Sequence, residues 1–391
     1  EQPIGELFRV FDHTPIASAS IAQVYRAELP DGQKVAVKVQ RPDIQKTVAI
    51  DVEIMLTLAR LAQEHLETMA VFQPVAIVEE FSRVIENEMN FHVEARNIER
   101  FEEEFRDDDS VRVPGVHRDY STRHVLTIEF IDGIKVSDLA ALQTAGYDIA
   151  QLARIGADAV LKQVFEHGFF HGDPHPGNLL VTAPSQVAFL DFGMMGRLDR
   201  RLQEDLAALL ISVVHRDDDE LTRTVLRVAT NADDISDTAS LTRALGDFVD
   251  RYAYLPLERL HVGELLQDLL NLLLHYRLKL PPELYLLFKA LVTIEGVGRD
   301  LDPRFVFFQY VQPYVVRLVR RRHDPRRVLA DVNRTTIALY HLLRDLPEEL
   351  RQLLKFVRRG ELKVNLETRS LEPVMKTWDR DANRLSFAIV I

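Results

Sequence analysis

The chain has 391 residues, 47% of them hydrophobic and 28% charged, with a net charge of −12 and no cysteine. That composition belongs to a folded globular protein long enough for two or three domain-sized units, and it speaks against a disordered chain. The acidic balance argues against a general nucleic-acid binder, and without thiols there is neither a disulfide framework nor a thiolate metal site.

The first informative stretch is IASASIAQVYRAELPDGQKVAVKVQ, from Ile16 to Gln40. Alternating residues on either side of Pro30-Asp31-Gly32 predict two strands around a turn. Ala17, Ala19, Ala22 and Val24 stand where a G-x-G-x-x-G-x-V loop would have its three glycines and its valine, and V-A-V-K follows, ending at Lys38. In a protein kinase that order gives a flap over ATP phosphates and then a strand lysine that pairs with them. Alanine adds a methyl group and restricts positive φ, so the loop, with Ser18 and Ser20 between the alanines, is expected to grip a nucleotide differently.

Helical spacing runs from Pro42 to about Ala70 and from Pro74 to about Arg106. A buried lysine needs a carboxylate partner, and the second helical stretch offers Glu94, the first choice, and Glu88. Lying six residues apart, they point about 120° apart on a regular helix and could both face Lys38 only if the helix bends. VRVPGVHRDYSTRHVLTIEFIDG returns to strand character, and helix resumes from about Asp148 to His167.

The segment FFHGDPHPGNLLVTAPSQVAFLDFGMMGRL carries the chemistry. His171, Asp173 and Asn178 reproduce H-x-D-x-x-x-x-N, and Asp191-Phe192-Gly193 follows thirteen residues after Asn178, with the apolar strand Val187 to Leu190 delivering Asp191. In that arrangement one carboxylate sits beside the acceptor hydroxyl, while the asparagine and the second carboxylate hold Mg²⁺ on the phosphates. His171 reads as a core histidine supporting the loop, and His175 as either a phosphate contact or a turn cap. After Asp191 the pattern is almost wholly helical. Leu202, Leu206, Leu209, Leu210, Val213 and Val214 form an apolar stripe, further helices follow, and ELKVNLET near the C-terminus suggests a short strand.

Together these residues resemble the UbiB family of atypical, protein-kinase-like proteins associated with coenzyme Q and other isoprenoid-lipid metabolism. PIASASIAQVYRA is similar to the family's Ala-rich loop, VAVKVQRP to its lysine strand and NFHVEARN to the segment with its helix glutamate; HGDPHPGN, LDFG and ELYLLFKALVTIEGVGRDLDP complete the set. The resemblance implies an α+β, helix-rich, two-lobed kinase fold with a helical C-terminal extension. Its N-lobe would cover 1–130, with inserted helices at about 43–106, and its C-lobe 131–391. By the same resemblance Asp173 is the catalytic aspartate, Lys38 the nucleotide lysine with Glu94 as partner, and Asn178 and Asp191 the metal ligands. Ala17 to Ala22 cover the phosphates, and Glu129 to Ile131 form the hinge to adenine. The implied cofactors are ATP or ADP and Mg²⁺, and the implied function is ATPase or phosphoryl transfer supporting ubiquinone or related lipid metabolism.

There are departures from the family pattern. The family's E-x-D reads Glu88-Met89-Asn90 here, its K-x-G-Q motif belongs to an N-terminal extension that would precede Glu1, and no A-P-E follows Asp191, which argues against phosphorylation of proteins in trans. Glu1 is not Met and LSFAIVI is an apolar run, so the expectation is a longer protein, anchored by a following helix at the cytoplasmic face of a membrane. The basic run RLVRRRHDPRR, from Arg317 to Arg327, suits either anionic headgroups or a solvated helix end, and it lacks the interleaved aromatics of an RNA site. Expected partners are therefore the nucleotide, a membrane surface, and isoprenoid lipid or quinone-biosynthesis proteins, with no nucleic acid. Two alternatives are a small-molecule phosphotransferase of the aminoglycoside or choline kinase type, which shares the H-G-D-x-H-P-x-N loop, and a nucleotide-binding pseudokinase scaffold.

Overall fold

The computed structural model describes residues 3–19, 21–65, 74–235 and 237–322. Ser20, ELKVNLET, LSFAIVI and the last five residues of the basic run lie outside them.

Short β1 (Val10–Phe11) and β2 (Ala17–Ser18) both pair with β3 (Ala22–Glu28), which turns through Gly32 into β4 (Lys34–Gln40). The φ of +91° at Gly32 is one that glycine adopts without a Cβ penalty, which is why PDG makes the turn. A later strand, β6 (Val125–Glu129), closes the sheet on the other side of β4 and sets Leu126 opposite Lys38. Alternation then decides which face is which. Ala27, Leu29, Val35 and Val37 pack with Phe8 in a small outer core, while Ala22, Leu126 and Ile128 face the main one.

Between β4 and β6 come the inserted helices α2 (Ile44–His65), α3 (Pro74–Glu88) and α4 (Phe91–Glu104), after the short α1 (Ile4–Leu7). The second helical stretch predicted as one piece is therefore two. Asn90 breaks it, because its side chain leaves the helix and accepts from His92 N at 3.2 Å, capping α4. Phe91, Ala95, Ile98 and Phe101 then form the buried face of α4.

The second sheet has the order β5 (Val111–Arg112), β10 (Gln186–Phe189), β9 (Leu179–Ala183) and β7 (Ile134–Lys135); β8 (Phe169–His171) pairs separately with β11 (Met195–Arg197). Helices α5 (Leu139–Thr144) and α6 (Ile149–Lys162) precede β8, and α6 ends in a π-helical turn over Gln163–His167. Gly168 stops it at φ +64°, where a Cβ would lie 2.6 Å from the Leu198 carbonyl oxygen. Phe101, Phe189 and Phe192 meet at ring-centroid distances of 5.1 to 5.4 Å. Each is fully buried, and burying one such side chain stabilises by about 1.5–3 kcal/mol, so this cluster is a main tie between α4 and the Asp191-Phe192-Gly193 segment.

Beyond β11 come only helices among the described residues: α7 (Arg200–His215), α8 (Asp218–Val228), α9 (Thr238–Ala253), α10 (Val262–His275), α11 (Pro282–Leu301) and α12 (Phe307–Arg322). The apolar stripe on α7 holds for Leu202, Leu206, Leu209 and Leu210, which pack on the main core, and is corrected at Val213 and Val214. Its fully buried positions are Asp205, Ala207, Ala208 and Ser212; the four leucines are half-buried, and Val213 and Val214 are exposed. Small residues win there because α7 lies close against α8, where Asp205 meets Arg227 at 2.6 Å.

Glu295, in the EGVGRDLDP segment of α11, accepts from Val262 N at 2.9 and 3.1 Å and so caps α10 from outside. Pro281 and Pro282 open α11 itself. Arg317, the first arginine of the basic run, pairs with Glu166 at 3.4 Å.

Candidate active site

The site forms where β4, α4, the loop after β8 and the end of β10 converge. Lys38 projects from β4, and its Nζ donates to both carboxylate oxygens of Glu94, at 2.9 and 3.0 Å, while lying 3.4 Å from Asp191 Oδ1 and 5.5 Å from the Phe91 ring. Glu94 is in the first turn of α4 and also accepts from Phe192 N at 3.3 Å. Burial alone would push the Lys38 ammonium down, but Glu94 and Asp191 outweigh it and hold it above its ordinary value. Burial pushes the Glu94 carboxyl up against the pull of the same lysine. These directions compete, and the geometry favours the ion pair: both Glu94 oxygens face donors, leaving no place for a carboxyl proton.

Glu88, the runner-up, ends α3 on the other side of the Asn90 break. Its carboxyl is raised by burial and then by the negative charge of Asp191, with Lys38 and Lys289 opposing. The helix does break between the two glutamates, and the one that pairs with Lys38 is Glu94, the first choice.

Asp191 accepts from Gly193 N at 3.0 Å. Burial works against its charge, but Lys38, that amide and His171 bring it down to about 2. The ring of Phe192 is buried under α4, and its carbonyl accepts from Asn97 Nδ2 at 2.9 Å. His171 is buried, and burial lowers its pKa below the ordinary value against the pull of Asp191. Its Nδ1 accepts from Asp173 N at 3.0 Å and its Nε2 donates to the Asp191 carbonyl, so both ring nitrogens are committed to shaping the loop. His175 Nδ1 accepts from Gly177 N at 3.1 Å and caps the turn. Asn178 turns its amide nitrogen to the Asp173 carbonyl at 3.4 Å, which leaves the amide oxygen as the end available to a cation.

The Ala-rich loop is a tight turn in which Ala19 N donates to the Ala22 carbonyl at 2.8 Å. Ala17 pairs with Val24, and Val24 pairs with Lys38 in turn. Ala22 is fully buried, so its methyl group faces the core rather than a ligand. Ser18 Oγ accepts from Arg41 Nη2 at 2.7 Å and Ala19 O from Arg41 Nε at 3.2 Å, so an arginine at the end of the lysine strand clamps the loop. At the expected hinge the Glu129 side chain turns aside to Arg112 at 2.5 Å, and Ile131 packs with Leu180, Ala188 and Leu190.

Three contributors went unread in the sequence. Arg41 and Asn97 lie inside the quoted VAVKVQRP and NFHVEARN segments, so a signal was present. Lys289, on α11, reaches Asp173 Oδ2 at 3.1 Å, and only the fold brings those two together. Among the described residues no group of three His, Cys, Asp or Glu side chains is placed to hold a metal. Asp191 and Asn178 are hard oxygen donors of the kind Mg²⁺ accepts when substrate phosphates complete its shell.

A strand lysine paired with a helix glutamate, and a His-Gly-Asp loop followed by Asp-Phe-Gly at the end of a strand, define a protein-kinase-like protein. Residues 1–225 match the ABC1 atypical kinase-like domain and 245–306 the UbiB helical domain. An uncharacterised Synechocystis protein is 30% identical over all of this chain and 68% of the relative. Protein ACTIVITY OF BC1 COMPLEX KINASE 7, chloroplastic, of Arabidopsis thaliana is 31% identical over 93% of this chain and 53% of its own length; the probable protein kinase UbiB of Aeromonas salmonicida is 32% identical over 92% and 66%. The solved complex of Rv3197 with erythromycin, from Mycobacterium tuberculosis, shares the fold with a TM-score of 0.56 at 22% identity, covering 76% of this chain and 75% of that one. The chain belongs to the UbiB family of atypical kinases, and it spans about half to two thirds of the length of the curated relatives it matches.

Proposed function

We propose that the chain binds ATP with Mg²⁺ between its two sheets and hydrolyses it or transfers its γ-phosphoryl group, in support of ubiquinone or related isoprenoid-lipid metabolism at the cytoplasmic face of a membrane. The observation that carries this reading is Lys38 placed between Glu94 and Asp191, 2.9 and 3.4 Å away. Glu94 orients the ammonium toward the α- and β-phosphates, and Asp191, kept ionised by its surroundings, joins Asn178 in holding Mg²⁺. Bound there, the metal neutralises charge on the phosphate oxygens. Asp173 lies on the acceptor side and takes the proton of the attacking hydroxyl or water, while His171 fixes the backbone carbonyl of Asp191.

Proteins are poor acceptors in this reading, because the chain passes from β11 straight into α7 and offers no segment to position a peptide. The lobes are proposed to meet at residues 130 and 131, in the link between β6 and β7. Among the described residues no helix is long and apolar enough to cross a membrane. The membrane surface, isoprenoid lipid and quinone-biosynthesis partners are proposed on the family alone. Thermal melting tests the core of the reading: Mg-ATP or Mg-ADP raises the melting temperature of the parent, and Asp191→Asn removes the rise. No shift with any Mg-nucleotide overturns it.

A further inference from the structure

Lys289 sits on the helical extension, far along the chain from the catalytic loop, yet its Nζ is 3.1 Å from Asp173 Oδ2 and 3.8 Å from Met194 Sδ. The contact is not needed to place α11. Leu286, one turn earlier, already packs so tightly on the loop that a Cβ at Gly172 would lie 2.5 Å from its Cδ1. Nor does the ion pair contribute much to stability, since the lysine side chain is 47% exposed and the aspartate 32%, and such pairs are worth roughly 0–1 kcal/mol. What the arrangement does supply is a mobile point charge on the acceptor side of the site. Among the described residues Lys289 is the one cation in ion-pair contact with Asp173, and Glu88 senses its charge as well. Of the two histidines that flank Asp173 two residues away, His171 has both ring nitrogens committed to the loop and His175 has its Nδ1 occupied by the turn.

We propose that Lys289 is a catalytic cation that leaves Asp173 for the γ-phosphate of bound ATP and neutralises its oxygens during transfer. The inference rests on the nucleotide reading above. In hydrolysis a water oxygen forms a bond to the γ-phosphorus as the β–γ bridging P–O bond breaks, with its electron pair departing on the β-phosphate of ADP. The water proton passes to Asp173 and from there to the released phosphate. A cation at the equatorial oxygens stabilises the charge spread over them, and a lysine serves phosphate as a flexible point charge. The helical extension thereby brings a positive group to the acceptor side of the site.

The test uses Lys289→Met and Lys289→Arg in the whole chain, reading Mg-ATP and Mg-ADP dissociation constants by calorimetry and phosphate release in a single turnover. The methionine variant should melt with the parent when nucleotide-free and bind ADP as the parent does. It should bind ATP about tenfold more weakly and release phosphate at least ~10-fold more slowly, the loss expected for one charged hydrogen bond to the γ-phosphate. Arginine should restore most of both. ATP and ADP weakened equally, or phosphate release unchanged or faster in the methionine variant, overturns the inference alone. A parent that binds no nucleotide removes the functional reading and this inference with it.

Discussion

Glu94→Ala tests the electrostatic centre of the site directly. The substitution leaves the Lys38 ammonium, with a side chain only 14% exposed, facing a methyl group, with Asp191 at 3.4 Å as its remaining partner. Removing one member of a buried pair costs about 3–5 kcal/mol; Asp191 moderates that here, while the freed Phe192 N–H adds to it, so about 3 kcal/mol is the expected loss. For a domain of this size each kcal/mol lowers Tm by roughly 2–4 °C, which predicts a drop of about 6–12 °C in calorimetry. The informative variant is the double one. Lys38→Met in the Glu94→Ala background removes the stranded charge and should recover part of the loss, although it is a second substitution in the same site. A Glu94→Ala loss below about 1 kcal/mol, or a double variant less stable than Glu94→Ala, refutes the claim that the pair is buried and ionised.

Asp191 is held at about 2 against an ordinary value of 3.8, so its charge stabilises the fold above that ordinary value and the contribution disappears as pH falls from about 4 to about 2. The stability gap between the parent and Asp191→Asn in urea titrations should narrow across that window, modestly because the side chain is 41% exposed; a constant gap counts against the assignment. Gly172→Ala drives a methyl group into Leu286 and should cost about 1–3 kcal/mol, with Leu286→Ala restoring part of it; additive losses in the double variant would show that the two do not touch. Ala19→Gly should loosen the turn that Arg41 clamps and change the ATP-to-ADP preference or raise self-phosphorylation, and unchanged nucleotide constants and self-phosphorylation would reduce the loop to a scaffold.

The local parts of the site were legible because their chemistry is written in short spacings. Asp173, Asn178 and Asp191 follow one another across a single hairpin, and Lys38 declares itself by an apolar strand. Glu94 and Glu88 could not be separated by spacing alone, since the answer depended on Asn90 leaving the helix to cap the next one. The α7 stripe was legible in its leucines but not in the most buried positions, because leucine spacing reports an apolar face and cannot report how near a neighbouring helix comes, and that nearness is what selected alanine and serine. Lys289 was invisible for a different reason: no periodicity links a helix of the extension to the loop after β8, and the pairing exists only once Leu286 meets Gly172. The Ala-rich loop was legible as a loop, but its clamp was not, because Arg41 reads from sequence as an ordinary strand-end charge.

One consequence follows from how α11 is held. At its middle Leu286 and Lys289 touch the catalytic loop, Ile294 lies against Gly156 of α6, and Glu295 secures the start of α10. The two sequence families that divide this chain therefore do not divide it into separable pieces: residues 1–225 made alone would lose the wall behind Gly172 and expose the apolar side of α6 to water. Where the families meet is a seam in evolution's bookkeeping and not a hinge in the molecule, so truncations meant to isolate the kinase-like part should run at least to Leu301.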